Sequence, residues 1–420
     1  MKRSVFKYLS FSYVMVKHGK INLQQHVSGY QKTMKSINRN IFVLLSVVLL
    51  WSCIERYFPA TELNFQSQLV IEGTIISGGS KQEIMISKSS PTGDPKFISV
   101  SDCKVSVEDG KGNSFPFTES KDAGHYLGNI DEGILIPGAR YRLHVKTNNG
   151  VEYVSSFEEL LACPEVDNVY YKLETKQLQD PKITENGLQF FIDFNGNDNF
   201  GHFYRWQLTE TYEYHSRWPL DKWLDKDGMH DLEDPDYSNF VCYKTNNLKR
   251  IFVLSTDGFS QNSYSKYKLH FVQDQTQRLE YKYSLLVNQY SLTKRAYNYW
   301  ENLRKNNQET VDMFGKQPAN VKGNIHNVND TTDVALGYFG VSSKQSKRIM
   351  VYPFQGLFFD HALLCKAWII DGPLPAERPL YFVPDFDENF NSYMGIGAPE
   401  CINCTLMGGT TVKPPYWNQK

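Results

Sequence analysis

Long apolar runs are scarce in this 420-residue chain. The conspicuous one, Ile41 to Leu50 within NIFVLLSVVLLWSC, is about half as long as the roughly 20 residues a helix needs to cross a bilayer core. Excess charge is missing as well. The 45 Lys and Arg are matched by 46 Asp and Glu, and a formal net charge of −1 argues against a nucleic-acid partner, which needs a basic face. Three catalytic signatures are absent: a His-Glu-x-x-His helix for zinc, a glycine loop ending in Lys-Ser or Lys-Thr for phosphates, and a Gly-x-Ser-x-Gly nucleophile turn. Neither a metal nor a cofactor is expected. Hydrolases that assemble scattered carboxylates are left open, because no motif announces them.

What the short apolar run does resemble is a secretory signal. Lys35 and Arg39 precede it in a polar segment opening at Met34, and it closes on Leu50-Trp51-Ser52-Cys53. A basic start, an apolar middle and a small residue before a cysteine match the lipobox of bacterial lipoproteins, in which the thiol, here Cys53, carries lipid. Residues 34–52 are therefore expected to be a lipoprotein signal peptide, with 53–67 a tether. Residues 1–33 are expected to be a mis-assigned start or a disordered leader.

The remainder has the composition of a folded exported protein, with 26 Tyr, 26 Phe and 7 Trp. Residues 53–420 exceed what one hydrophobic core usually serves, so two domains are expected. Between 68 and 163, QLVIEGTI and QEIMIS are β-branched runs, and CKVSVED and YRLHVKT alternate strictly. That period of two puts Cys103, Val105 and Val107 on one face, and Tyr141, Leu143 and Val145 on another. Glycine-bearing turns separate these runs (EDGKGN, DEG, IPGARY, NNG), and no helix intervenes. The spacing predicts a small immunoglobulin-like β-sandwich.

From 164 to 420 a larger β-rich domain of sandwich type is expected. LQFFIDFNG places Leu188, Phe190, Ile192 and Phe194 on one face, and HFYRWQLTETYEY, RIFVLST, YKLHFVQ and YKYSLLVNQY read as further strands. One amphipathic helix interrupts them near 292–305. Leu292, Ala296, Tyr299, Trp300 and Leu303 form a helical stripe, read as core, with Ser291 or Thr293 as N-cap.

The segments YSLLVNQYSLTKRAYNYWENLRK, QPANVKGNIHNVNDTTDVALGYFGVSSKQSKRI and CINCTLMGGTTVKPPYW, in that order and behind the lipobox and the LVIEG strand, resemble a lipoprotein family of the Bacteroidota known as domain of unknown function 4249 (DUF4249). The resemblance covers nearly everything after Cys53. It implies an outer-membrane lipoprotein, often encoded beside a TonB-dependent receptor, and implies no established activity.

Four constellations are candidate sites. Cys401-Ile-Asn-Cys404 has the spacing of a metal or thiol-exchange pair, but the glycine- and proline-rich sequence after it reads as loop. With Cys53 lipidated, six cysteines remain in an oxidising compartment; Cys242 is expected to pair with Cys401 or Cys404, and Cys103 to be a buried free thiol. The acidic stretch DKWLDKDGMHDLEDPD misses EF-hand spacing and reads as a solvated loop, although Trp218, Trp223, Asp225 and Asp227 make it a candidate ligand loop. Tyr212, Tyr214, Trp218 and Trp223, if exposed, would suit sugar rings. His202, His215 and His361 are isolated, and no catalytic residue is assigned.

The function expected is that of a non-enzymatic accessory or binding lipoprotein, anchored by acylated Cys53 in the outer membrane and working with a TonB-dependent transporter. Ile54 is not the Asp that resembles an inner-membrane retention signal. The alternative is an exported hydrolase of a glycan or peptide polymer, with catalytic carboxylates in the second domain.

Overall fold

Strict alternation builds the first sheet. In the computed structural model, which describes residues 67–418 apart from 92–94, 179, 181, 198, 310–320, 331, 354–355, 358–364, 366, 370–371 and 387–390, nine strands precede residue 160. They are β1 (Leu69–Ile76), β2 (Lys81–Lys88), β3 (Ile98–Ser99), β4 (Lys104–Asp109), β5 (Ser114–Glu119), β6 (His125–Asn129), β7 (Arg140–Lys146), β8 (Glu152–Ser155) and β9 (Glu158–Glu159). Val105 and Val107 of β4, Tyr141, Leu143 and Val145 of β7, and Cys103 just before β4 are buried together with Ile71, Ile84 and Tyr126. The Tyr126 hydroxyl donates to Val100 O at 2.9 Å and accepts from Cys103 N at 3.1 Å, so the ring's polar end is satisfied inside that core. Cys53 and the candidate signal lie outside the described residues.

Aromatic strands build a second sandwich: β10 (Val166–Gln177), β11 (Thr184–Asn195), β12 (Phe203–His215), β13 (Leu220–Asp225), β14 (Gly228–Asp236), β15 (Val241–Asn247), β16 (Phe252–Ser255), β17 (Ser263–Gln273) and β18 (Tyr283–Ser291) follow in order. The sheet β10-β11-β17 buries Leu188, Phe190, Ile192 and Phe194 against Tyr204 and Trp206 of β12 and Tyr283 of β18. Ring centroids of Phe194 and Tyr204 lie 4.5 Å apart, and those of Phe190 and Tyr283 5.5 Å. The fold is thus mainly β and of sandwich type. One helix is inserted, α1 (Lys294–Glu309). Of the two candidate caps, Thr293 serves: its hydroxyl accepts from Ala296 N at 3.2 Å.

After the helix come β19 (Ile325–Asn327), β20 (Phe339–Ser342), β21 (Lys344–Val351), β22 (Leu380–Phe386) and β23 (Ser392–Gly397). Two of them return to the first sheet. β19 pairs with β8 and β20 runs parallel to β1, while Ala335 N donates to Ile325 O at 3.1 Å and Leu336 N to Leu69 O at 2.8 Å. The circuit β8-β19-(335–336)-β1 covers the two edges that residues 68–163 would leave open. The expected module therefore takes strands from beyond residue 320, and residues 66–420 form one compact unit. Glycine is required at the join: Gly337 has φ +92°, and a Cβ there would lie 2.1 Å from Ile71 O.

The acidic stretch is a hairpin rather than a loop. β13 and β14 meet across an Asp225–Gly228 turn, and β13 pairs on its other side with β22, in the sheet β14-β13-β22-β23. Two disulfides hold this end. Cys242 is bonded to Cys404, spanning 162 residues, and Cys365 to Cys401, spanning 36. By loop-closure entropy each is worth roughly 3–5 kcal/mol. Cys103 and Cys163 are buried free thiols. The tail then crosses β12 and β15: Tyr243 N donates to Thr410 O at 2.8 Å, and Trp417 Nε1 to Glu213 Oε2 at 2.8 Å.

Candidate ligand cleft

Along β12, alternation sends Tyr204, Trp206 and Leu208 into the sandwich core and Phe203, Arg205 and Gln207 to the opposite face. Over that face lies α1, whose stripe packs Leu292, Ala296 and Tyr299 against Tyr290, Tyr338 and, across the junction, Ile76 of β1. The helix does not fill the angle between β1–β2 and β12. A cleft of about 480 Å³ remains, walled by Glu72 and Thr74 of β1, Arg205 and Gln207 of β12, Tyr299 and Trp300 of α1, and Tyr338, with Lys81 and Lys344 also on its lining. That volume falls within the range of small-molecule sites, about 300–1,000 Å³.

Arg205 lies face-on to Trp300, its guanidinium carbon 3.6 Å from the ring centroid and 5.9 Å from that of Tyr290. Tyr299 and Tyr338 stack at 4.7 Å, and the Tyr338 hydroxyl donates to Glu158 Oε1 at 2.7 Å. Glu158, buried at the junction, also accepts from Thr293 Oγ1 at 2.6 Å, so one carboxylate ties β9, the helix start and the returning chain together. The aromatic wall is fixed from behind.

Most polar side chains of the cleft are already engaged. Gln82 accepts from Ile76 N at 2.9 Å, Glu83 meets His125 Nδ1 at 2.8 Å, and Gln207 accepts from the Tyr290 hydroxyl at 3.2 Å. Arg205 and Glu72 differ. Both line the cleft, yet among the described residues neither has a hydrogen-bonding or ion-pairing protein partner. Desolvation pulls the guanidinium below its ordinary value to about 10, with Tyr290, Tyr299 and Glu72 opposing. Partial desolvation at the cleft wall raises Glu72, with Arg205 opposing. No ion pair joins the two, and among the described residues the five guanidinium N–H donors have no protein acceptor.

The residues singled out in the sequence fall elsewhere, and not into one loop. Trp218 belongs with Cys365, Val383 and Cys401, its backbone N–H donating to Cys401 O at 2.9 Å. Trp223 stacks on His230 at 4.4 Å and donates from Nε1 to Asp225 Oδ2 at 3.2 Å. Asp225 also meets His230 Nε2 at 3.0 Å and accepts from Asp227 N at 2.9 Å; His230, that amide and the Trp223 indole hold its pKa down. It latches the hairpin turn, with Asp227 inside that turn. Tyr212 and Tyr214 are 6% and 0% exposed and offer no face to a sugar. The tail explains this: the Tyr214 hydroxyl donates to Cys404 O at 2.8 Å, and Gly409 packs on its ring. Cys401 and Cys404 are each bonded to a distant cysteine, so the pair is neither a metal nor an exchange site. His215 stacks on Tyr281 at 3.6 Å, and His361 lies outside the described residues.

Among the described residues no His, Cys, Asp and Glu cluster is arranged for a metal, and no helix is long and apolar enough to cross a membrane. Sequence reasoning missed Arg205 and Glu72 and assigned Tyr299 and Trp300 to core alone. A faint signal existed: Glu72 is the single charge in LVIEGTII, and Arg205 follows Phe203 and Tyr204 and precedes Trp206.

The family model for the domain of unknown function DUF4249 matches residues 54–348, and the chain belongs to that family. No curated protein matches it. Among solved structures it is similar to a DUF4785 family protein from Legionella pneumophila, at 11% identity and TM-score 0.17 over 54% of each chain. It is also similar to trypsin-activated alpha-2-macroglobulin from Escherichia coli, at 9% identity and TM-score 0.19, over 79% of this chain and 17% of that one. The chain spans about half the length of the first and a sixth of the second, and TM-scores this low do not establish a shared fold.

Proposed function

We propose that this DUF4249 protein is a Bacteroidota outer-membrane lipoprotein, anchored through acylated Cys53, that serves a TonB-dependent transporter as a non-enzymatic binding accessory, with the Arg205 cleft as its ligand site. The observation that carries the binding role is the guanidinium itself. A partly buried, ionised group with no acceptor among the described residues is costly to hold, and a cleft that holds one beside a fixed aromatic wall is organised for a ligand. Two disulfides support an exported, oxidising location, and the lipobox ending at Cys53 supports the anchor.

Of the carboxylates the hydrolase alternative would draw on beyond residue 164, Glu213 and Asp385 are engaged in structural contacts. Glu213 meets His215 at 3.1 Å and accepts from Trp417, and Asp385 meets Arg217 at 3.1 Å and accepts from Ala367 N at 3.0 Å. Affinity purification from detergent-solubilised outer membranes tests the reading. A TonB-dependent receptor co-purifying with a diacylated or triacylated protein is expected. A soluble, unacylated protein retaining residues 34–52 would refute the anchor, and glycan or peptide turnover abolished by one Asp or Glu substitution would refute the non-enzymatic role.

A further inference from the structure

We infer that the cleft selects a zwitterion, a small molecule carrying both a carboxylate and an ammonium group, of the size of an amino acid or short peptide. This rests on the reading of the cleft as a binding site and goes further by assigning its two charges. A site for a simple anion needs only cations. Here Arg205 of β12 and Glu72 of β1 bring opposite charges to the lining of one cleft, with no ion pair between them. Two unlike charges held apart in one cavity complement a ligand whose own charges are separated by a few bonds. Arg205 is fixed face-on to Trp300, leaving the guanidinium edge for a planar, two-point grip on a carboxylate. Glu72, on the same lining, is the acceptor for an ammonium.

Glu83, the other carboxylate on the lining, is held by His125, and Lys81 and Lys344 are exposed. A purely anionic ligand would meet Glu72 as a repulsive neighbour, and a purely cationic one would meet Arg205. The bound zwitterion neutralises both. The volume of about 480 Å³ admits a dipeptide and leaves Tyr299 and Tyr338 beside its side chain.

Isothermal titration of the full-length protein in detergent tests this, with glycyl-phenylalanine, its N-acetyl derivative, its C-terminal amide, glucuronate and inorganic phosphate as probes. The free dipeptide is expected to bind at least tenfold more tightly than either blocked form and than the two anions. Arg205→Lys, which keeps the charge but loses the fork, should weaken the dipeptide at least tenfold. Glu72→Gln should erase the difference between the free and N-acetylated dipeptide while preserving the preference for carboxylate over amide. Equal binding of free and N-acetylated dipeptide to the unmodified protein would overturn the zwitterion and leave an anion site. Failure of every probe to bind would overturn it too, whereas receptor co-purification reads the accessory role without reference to these probes.

Discussion

Arg205 and Glu210 belong to the same strand, on opposite faces and both in recessed surroundings, and their fates are opposite. Glu210, 2% exposed, accepts from the Tyr283 hydroxyl at 3.0 Å, Asn246 Nδ2 at 3.1 Å and Arg278 Nη1 at 3.4 Å, with His270 Nε2 at 3.6 Å. Burial alone would raise its pKa; His270, Arg278 and Asn246 outweigh that and lower it. The protein answers this charge completely. Arg205 has a ring to lie against and, among the described residues, no acceptor. Satisfied charge in this fold is architecture, and unsatisfied charge marks the cleft.

The largest effect is expected at Glu210→Ala, which leaves Arg278, Tyr283 and Asn246 without their acceptor. A loss of about 3–5 kcal/mol is expected in urea unfolding, and a loss near zero would show that this centre is not structural. Glu210→Gln keeps shape and part of the bonding, and should cost about 1–3 kcal/mol at neutral pH. Its acid limb should also flatten. A carboxyl lowered from 4.5 in the fold contributes stability above the unfolded value that is lost as pH falls through the folded pKa, and the glutamine has none to lose. Melting temperatures from pH 7 to 3 read the difference.

Arg205→Gln should cost far less. It gives up a cation–π contact of about 0.5–2 kcal/mol but removes a desolvated charge, so its stability should stay within about 1 kcal/mol of the unmodified protein. The smallest effect belongs to Glu72→Gln. A carboxyl raised above 4.5 in the fold contributes fully below the unfolded value and loses that contribution as pH rises through the folded pKa. The variant should therefore match the unmodified protein near pH 4 and exceed it at pH 7. Because Glu72 is exposed at the cleft wall, solvent limits the gain to below about 0.5 kcal/mol. Opposite pH trends for Glu72 and Glu210, followed by chemical denaturation, would separate the two kinds of site; parallel trends would merge them.

Elements whose evidence is local were legible in the sequence. Alternation located β4, β7 and β11, and a helical stripe with Thr293 before it located α1. The hairpin at 220–236 was misread because charge falls at successive positions of β14 and hides its period. Tyr212 and Tyr214 gave no sign of burial, because what covers that strand includes a tail almost 200 residues further along. The closure by β19 and β20 was equally silent, since three- and four-residue strands carry little periodicity and their partners lie far back in the chain.

By itself the sequence determined which residues alternate, where the helix starts and which cysteines are available, because backbone stereochemistry and hydrophobic period act over a few residues. Only the tertiary structure decided that Cys404 joins Cys242, that the first sheet is closed by returning strands, and that Glu72 and Arg205 share a cleft. Those outcomes depend on the packing of segments more than a hundred residues apart, where the environment around a charge, and not its identity, settles whether it builds the fold or lines the cleft.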